Sequence, residues 1–190
     1  IPVIDVQELT AAYDEKVVLD RISFQVLPRE IFVVLGGSGC GKSTLLRHLL
    51  GLHTPVTGSI KLFDRETIGL NEDELQPLRS RIGMVFQGSA LFNSMTVADN
   101  VMLALEEYSD FPRRVIQDIA DWKLRLVELD HARDYLPSQL SGGMKKRAAI
   151  ARAMAMDPEM LFFDEHTTGL DPIMAADLDK MILRVRGFKL

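Results

Sequence analysis

Residues Ile31 to Thr44 read IFVVLGGSGCGKST, an unbroken apolar run followed at once by a glycine-rich turn. Five successive apolar residues, Ile31 to Leu35, predict a parallel-type strand covered on both faces. Gly36, Gly41, Lys42 and Ser43 then fall on the spacing G-x-x-x-x-G-K-[ST], in the strand-to-helix setting that pattern requires. Glycines allow consecutive backbone N–H groups to curl around a phosphate, and the start of a helix adds its own positive field. Lys42 is placed to reach β and γ phosphates, and the Ser43 hydroxyl to ligate Mg²⁺. The loop as a whole, Gly36, Gly37, Ser38, Gly39, Cys40, Gly41, Lys42, Ser43 and Thr44, is expected to cradle the phosphates of a nucleotide, which by itself would suit kinases, GTPases, motors and transporters alike, with Cys40 serving as a small residue that fits. The competing reading is a glycine-rich turn that merely joins two elements.

A second acidic site narrows the chemistry. Met160 to Phe163 is apolar and leads into Asp164 and Glu165, at the strand end where parallel sheets place ligands. Neighbouring strand residues face opposite sides, so the two acids can differ in role. Asp164 would hold Mg²⁺ and Glu165 would polarise an attacking water. Alone, such a pair could equally be a solvated strand end.

Elsewhere the hydrophobic period changes repeatedly. Ile22, Phe24 and Val26 alternate with polar residues as in a half-buried strand, and Pro28-Arg29-Glu30 ends it. A helix is predicted over Ser43 to Leu50, closed by Gly51, with strands at Gly58 to Phe63 and Ile82 to Phe86. Residues 97–156 are read as mostly helical, broken at Tyr108 to Pro112 and at Tyr135 to Pro137. Met174, Leu178, Met181, Ile182 and Val185 follow helical spacing. This order predicts an α/β core carrying a helical insertion.

With 190 residues, 47% of them apolar, the chain can build one substantial core. Its net charge of -5 and interspersed acids and bases give no footprint for nucleic acid or anionic lipid. The single cysteine excludes an internal disulfide framework. No apolar run reaches membrane-spanning length and no charged-apolar-small leader is visible, so direct membrane insertion is not expected. Any service to a membrane would pass through a partner.

Ser141, Gly142 and Gly143 open a further helix, yet Lys145, Lys146 and Arg147 follow within two turns. Cations at a helix N-terminus oppose its macrodipole, which raises the question of what anion that end accepts.

Taken together, these motifs resemble the ATP-binding subunits of ABC transporters over nearly the whole chain. The resemblance rests on the phosphate loop, "LFFDE", "LSGGM" at Leu140 to Met144, "GLDP" at Gly169 to Pro172 and "MVFQ" ending at Gln87. It implies a P-loop NTPase core with an N-terminal antiparallel β subdomain and a helical signature subdomain. Residues 1–190 would form a single nucleotide-binding domain with 97–156 inserted as that subdomain. Gln87 would sense Mg²⁺ and water and face the membrane partner, and Tyr13 would stack on adenine. Two subunits would pair head to tail as a homodimer, so that Ser141, Gly142 and Gly143 of one grip the γ-phosphate held by the other, the following cations sharpening the field. "LSGGM" and "ALFNSMTVADNV" are similar to the branch serving MCE/Mla-type phospholipid transporters, which implies integral-membrane permease subunits and a peripheral site on the cytoplasmic face of the inner membrane.

The alternatives are an ATPase subunit for another transported substrate, a soluble ABC ATPase acting on DNA or the ribosome, and a nucleotide-binding module that does not hydrolyse. Three departures bear on them. Met144 stands where most of the family has glutamine, and His166 where it has proline. Furthermore, no histidine follows "GLDP" where the family places one against the γ-phosphate, so the chain is expected to be C-terminally incomplete and weak as an ATPase by itself. Its start at Ile1 likewise suggests a non-native end.

Overall fold

The computed structural model describes residues 1–13, 16–164 and 172–185 of the chain. They fall into two compact units, Ile1–Arg79 and Ser80–Leu190.

In the first unit, β1 (Ile4–Tyr13) is central, flanked by β2 (Lys16–Val26) and β3 (Thr57–Leu62), with the short β4 (Arg65–Glu66) beyond β3. All pairings are antiparallel, as the expected N-terminal β subdomain requires. Ile4 and Val6 are buried, but the next buried residues are Leu9 and Ala11, so the inward parity switches from even to odd. An irregularity between Val6 and Leu9 accounts for this: Glu8 is left-handed at φ 47°, and one extra residue turns the alternation over. Gly58 of β3 lies against the same kink, where a Cβ would come within 2.6 Å of the Leu9 Cα and 2.7 Å of the Glu8 carbonyl.

Helix α1 (Lys42–Leu49) buries Leu45, His48 and Leu49, and its C-terminal carbonyls are capped from a distance. Arg79, at the end of α2 (Glu72–Arg79), donates Nε to the Leu50 carbonyl at 2.8 Å and Nη2 to that of Gly51 at 3.2 Å. A cation at a helix C-terminus satisfies orphan carbonyls and complements the dipole.

The expectation for Ile31 to Leu35 is not met. The segment joins no ladder among the described residues, and its side chains are 43–87% exposed. A parallel strand has no hairpin neighbour and depends on strands remote in sequence, so without such a ladder the apolar run gains no cover. Phe32 alone finds a ring, stacking on Phe24 at 4.9 Å.

In the second unit, β5 (Ile82–Val85) and β6 (Met160–Phe163) pair in parallel, Ile82 opposite Met160 and Val85 opposite Phe163. All four β6 residues are half-buried rather than fully covered, because β5 is the only strand beside them among the described residues. Helices α3 (Val97–Tyr108), α4 (Arg113–Leu126) and α5 (Gly142–Ala153) pack on one another, with two single turns at Asp130–Ala132 and Pro137–Gln139. The expected breaks at 108–112 and 135–137 therefore hold, while a third, at 127–129, was not expected. Val97, Val101, Leu105, Leu124, Ile150 and Met154 are all at most 2% exposed and form the core with Leu178 and Met181 of α6 (Pro172–Val185).

Gly83 sets how closely β5 and α5 approach. A Cβ there would stand 2.3 Å from the Ala153 carbonyl oxygen and 2.6 Å from Leu161 Cδ2. The first obstacle is main chain and cannot rotate away. Gly83→Ala is expected to destabilise the unit by about 3 kcal/mol, the upper range for overpacking, read as a lower urea midpoint at unchanged slope.

Candidate functional site

Gly36 to Cys40 form an exposed loop, and α1 begins directly after it. Gly41 caps that helix in the left-handed region at φ 99° and is buried. A Cβ at Gly41 would meet Leu19 Cδ2 at 2.8 Å and Val18 Cγ1 at 3.1 Å, so conformation and space both require glycine. Lys42 folds back across the loop, its Nζ donating to the carbonyls of Gly36 at 2.8 Å and Gly37 at 2.9 Å, with Cys40 Sγ 3.9 Å away. An ammonium is thus held over the loop while Ser43, on the first turn of α1, is exposed. Thr44 is half-buried, and its carbonyl lies 2.8 Å from His48 Nδ1. A left-handed glycine at the N-cap, an ammonium above the loop and a helix starting beneath it suit a polyphosphate. Tyr13 is 41% exposed, with its ring edge-on to His53 at 6.0 Å, which leaves ring surface open for a base.

Gln87 and Asp164 lie at one end of the β5–β6 pair. Asp164 extends the ladder by one bond, its N–H donating to the Val85 carbonyl at 3.0 Å, and Gln87 sits two residues past that same Val85. Strand register therefore brings the amide and the carboxylate to a common carboxyl edge. Glu165, His166 and Gly169 to Asp171 lie outside the described residues.

Ser141 is the N-cap of α5, its Oγ accepting from the Met144 N–H at 3.3 Å, so the hydroxyl doubles as a helix cap. Gly142 and Gly143 form the first turn. A Cβ at Gly143 would come within 3.0 Å of Met174 Cε. A shallow cleft of about 290 Å³ opens here, lined by Ser141, Gly143, Met144, Arg147, Met174 and Asp177 among others.

Two of the three cations after the glycines behave differently from expectation. Arg147 donates Nη1 to Glu128 at 2.8 Å, and Arg184 approaches the same carboxylate at 3.1 Å. The Arg147 bond foremost holds the Glu128 carboxyl below the usual range. Lys146 is 6% exposed and donates to the Gln87 carbonyl, and burial pushes its pKa down. Of the three, two are thus committed to neighbours inside the unit rather than aimed at the helix N-terminus. The reason is position: one turn along α5, side chains reach the segments packed beside the helix.

Several supporting residues were missed in the sequence. Asn100 is fully buried, accepts from the Phe92 N–H at 2.8 Å and donates to the carbonyls of Phe92 at 3.1 Å and Thr96 at 2.9 Å, fixing the loop after Gln87. Thr96 and Asp99 close a reciprocal capping box on α3, which the T-x-x-D spacing could have revealed. Lys123 is 1% exposed, pairs with Asp157 and stands 4.4 Å from the Trp122 ring centroid. Among the described residues no helix is long and apolar enough to cross a membrane.

Comparison with known proteins places these features in company. A family model described as ABC transporter matches residues 19–168. The intermembrane phospholipid transport system ATP-binding protein MlaF of Haemophilus influenzae is 41% identical over 96% of this chain and 69% of its own length. The methionine import ATP-binding protein MetN of Clostridium tetani is 39% identical over 96% of this chain and 57% of its own. Among solved structures, cbiO1 of Clostridium perfringens, part of the ABC transporter complex cbiONQ, superimposes with a TM-score of 0.92 at 30% identity, covering 99% of this chain and 75% of that one. A dimeric ATP-binding cassette in a post-hydrolysis state with ADP and phosphate gives 0.86 at 29% identity, covering 96% and 82%.

Proposed function

The chain belongs to the ABC transporter family, and from that premise we propose that it is the ATP-hydrolysing subunit of a phospholipid transporter of the bacterial envelope. The observation that carries the nucleotide assignment is the loop Gly36–Thr44, with Gly41 left-handed and without room for a side chain and the Lys42 ammonium held over the loop. Similarity to MlaF supports the lipid. Residues 1–190 would work as one nucleotide-binding domain in which 97–156 form the helical subdomain. Tyr13 would stack on adenine, the backbone of Gly36 to Gly41 would receive the phosphates, and Ser43, Gln87 and Asp164 would hold Mg²⁺. That ion would supply charge neutralisation at the β and γ oxygens. Glu165 would orient and deprotonate the water.

Ser141, Gly142 and Gly143 would serve a nucleotide on a second copy, giving a head-to-tail homodimer beneath two integral-membrane permease subunits on the cytoplasmic face of the inner membrane. A second reading, an ATPase for uptake of a small solute, is favoured by the nearly equal identity to MetN. Purifying the full-length protein with its membrane partners and identifying copurified ligand by mass separates the two. Phospholipid with ATP-dependent release is the expected result; a bound amino acid and no lipid would sink the phospholipid assignment.

The dimer has its own test. Ser141→Arg places bulk and charge at the α5 N-terminus while leaving Gly36 to Thr44 unaltered. Binding of ATP to the monomer should survive, whereas ATP-driven dimerisation and cooperative turnover should fall by on the order of 100-fold. Loss of ATP binding in a dilute monomer would contradict the head-to-tail arrangement.

A further inference from the structure

The turn between β5 and α3 is conformationally costly. Ser89 and Ala90, adjacent and neither of them glycine, both adopt the left-handed region, at φ 63° and 50°. Such a pair persists only where surroundings over-determine it. What holds it is α5. Arg152 donates Nη1 to the Ala90 carbonyl at 2.6 Å and Nη2 to that of Ser89 at 3.1 Å. Lys146 donates Nζ to the carbonyl of Gln87 itself. Lys146 is 6% exposed and Arg152 half-buried, and a cation withdrawn from water is tolerated only where it meets acceptors. Three of the four carbonyls of the 87–90 segment, those of Gln87, Ser89 and Ala90, are therefore bound to one helix.

That helix also begins at Ser141. From Ser141 to Lys146 is five residues, about 7.5 Å of rigid rise at the α-helical increment. A displacement of the first turn of α5 is carried along the helix to Lys146 and, through its buried side chain, to the Gln87 main chain.

We propose that Lys146 is a positioning residue for Gln87, tying its backbone to the signature helix so that engagement of a phosphate at Ser141 to Gly143 and the aim of the Gln87 side chain are one event, with Arg152 holding the two left-handed residues that follow. The proposal rests on the ATPase reading above and adds to it a residue outside the nucleotide-binding motifs. Lys146 touches neither nucleotide nor metal; it acts through Gln87.

The experiment compares full-length wild type, Lys146→Met, Lys146→Arg and Lys42→Ala, measuring kcat, KM for ATP, the Mg²⁺ concentration at half-maximal rate, and ATP binding in EDTA. Methionine keeps the aliphatic stem and removes the donor; arginine keeps a donor. Lys146→Met is expected to lower kcat about tenfold, the scale of a lost hydrogen bond from a charged donor, and to raise the Mg²⁺ requirement severalfold. KM for ATP and binding in EDTA should stay within about twofold, and Lys146→Arg should recover most of the rate. Wild-type kcat and Mg²⁺ dependence in Lys146→Met would overturn the proposal. So would a defect of equal size in Lys146→Arg accompanied by weakened binding in EDTA, which marks a merely structural lysine. A misfolded Lys146→Met, detected by circular dichroism, shifts the decision to Arg152→Met, which removes both donors to the Ser89 and Ala90 carbonyls. That variant should show the same Mg²⁺ shift, and its absence overturns the proposal. Lys42→Ala separates the levels: if it binds ATP normally the ATPase reading fails and this inference with it, whereas lost binding in Lys42→Ala beside an unaltered Lys146→Met refutes only the positioning role.

Discussion

Replacing Lys42 with alanine is expected to weaken ATP binding by on the order of 100-fold or more, because each charge-assisted hydrogen bond from an ammonium to phosphate is worth about 1.5–3 kcal/mol and Lys42 can make more than one. Its Nζ already spans the carbonyls of Gly36 and Gly37, at 2.8 and 2.9 Å, so the cation is stored where a phosphate would take over as acceptor. Alanine leaves two carbonyls facing outward and no positive charge to offset the polyphosphate. Gly41 and the start of α1 would remain, so the fold should be unchanged by circular dichroism while calorimetric titration loses its signal. Affinity equal to wild type would remove the loop from its assigned role.

Glu165→Gln should have the opposite profile. Glutamine matches the size and hydrogen-bonding reach of glutamate but cannot take a proton. Turnover is expected to fall by about 10²–10⁴-fold, the range for loss of a general base, with ATP binding retained and a nucleotide-bound dimer accumulating. Single-turnover phosphate release and size-exclusion chromatography with ATP read the two halves separately. Normal turnover would transfer the base to another residue. The adjacent Asp164 would be tested next, since its N–H extends the β5–β6 ladder at the Val85 carbonyl.

What could be read from the letters and what could not divides along physical lines. The geometry of the glycine loop was legible because its spacing constrains residue type: Gly41 is left-handed with no room for a side chain, and Lys42 folds its ammonium back over the turn. Helix breaks at Tyr108 to Pro112 and Tyr135 to Pro137 were legible because proline stops helices from within the chain. In contrast, the hold of Lys146 and Arg152 on the 87–90 segment was invisible, since carbonyls are present at every residue and no partner letter marks them. Lys146 and Arg147 were misread for the same reason: their charge was evident, but not the carbonyl and carboxylate that claim them. Ile31 to Leu35 shows the converse error. Its composition suits a strand covered on both faces, yet composition cannot supply the ladder.

The kink at Glu8 conceals β1 from any test of simple alternation, and it also acts as a proofreading device. An unkinked strand can slide by two residues and still offer apolar side chains to the same face, so such errors are nearly degenerate in energy. Here the buried set is Ile4 and Val6 on one parity and Leu9 and Ala11 on the other. A two-residue slide would carry the parity switch away from Gly58, which sits at φ 105° and where a Cβ would come 2.6 Å from Leu9 Cα. The slipped pairing would present a bulge to a residue with a side chain, and a side chain to the gap meant for the bulge. Misaligned sheets are thereby penalised at one specific place, and the central strand of the first unit has a single address.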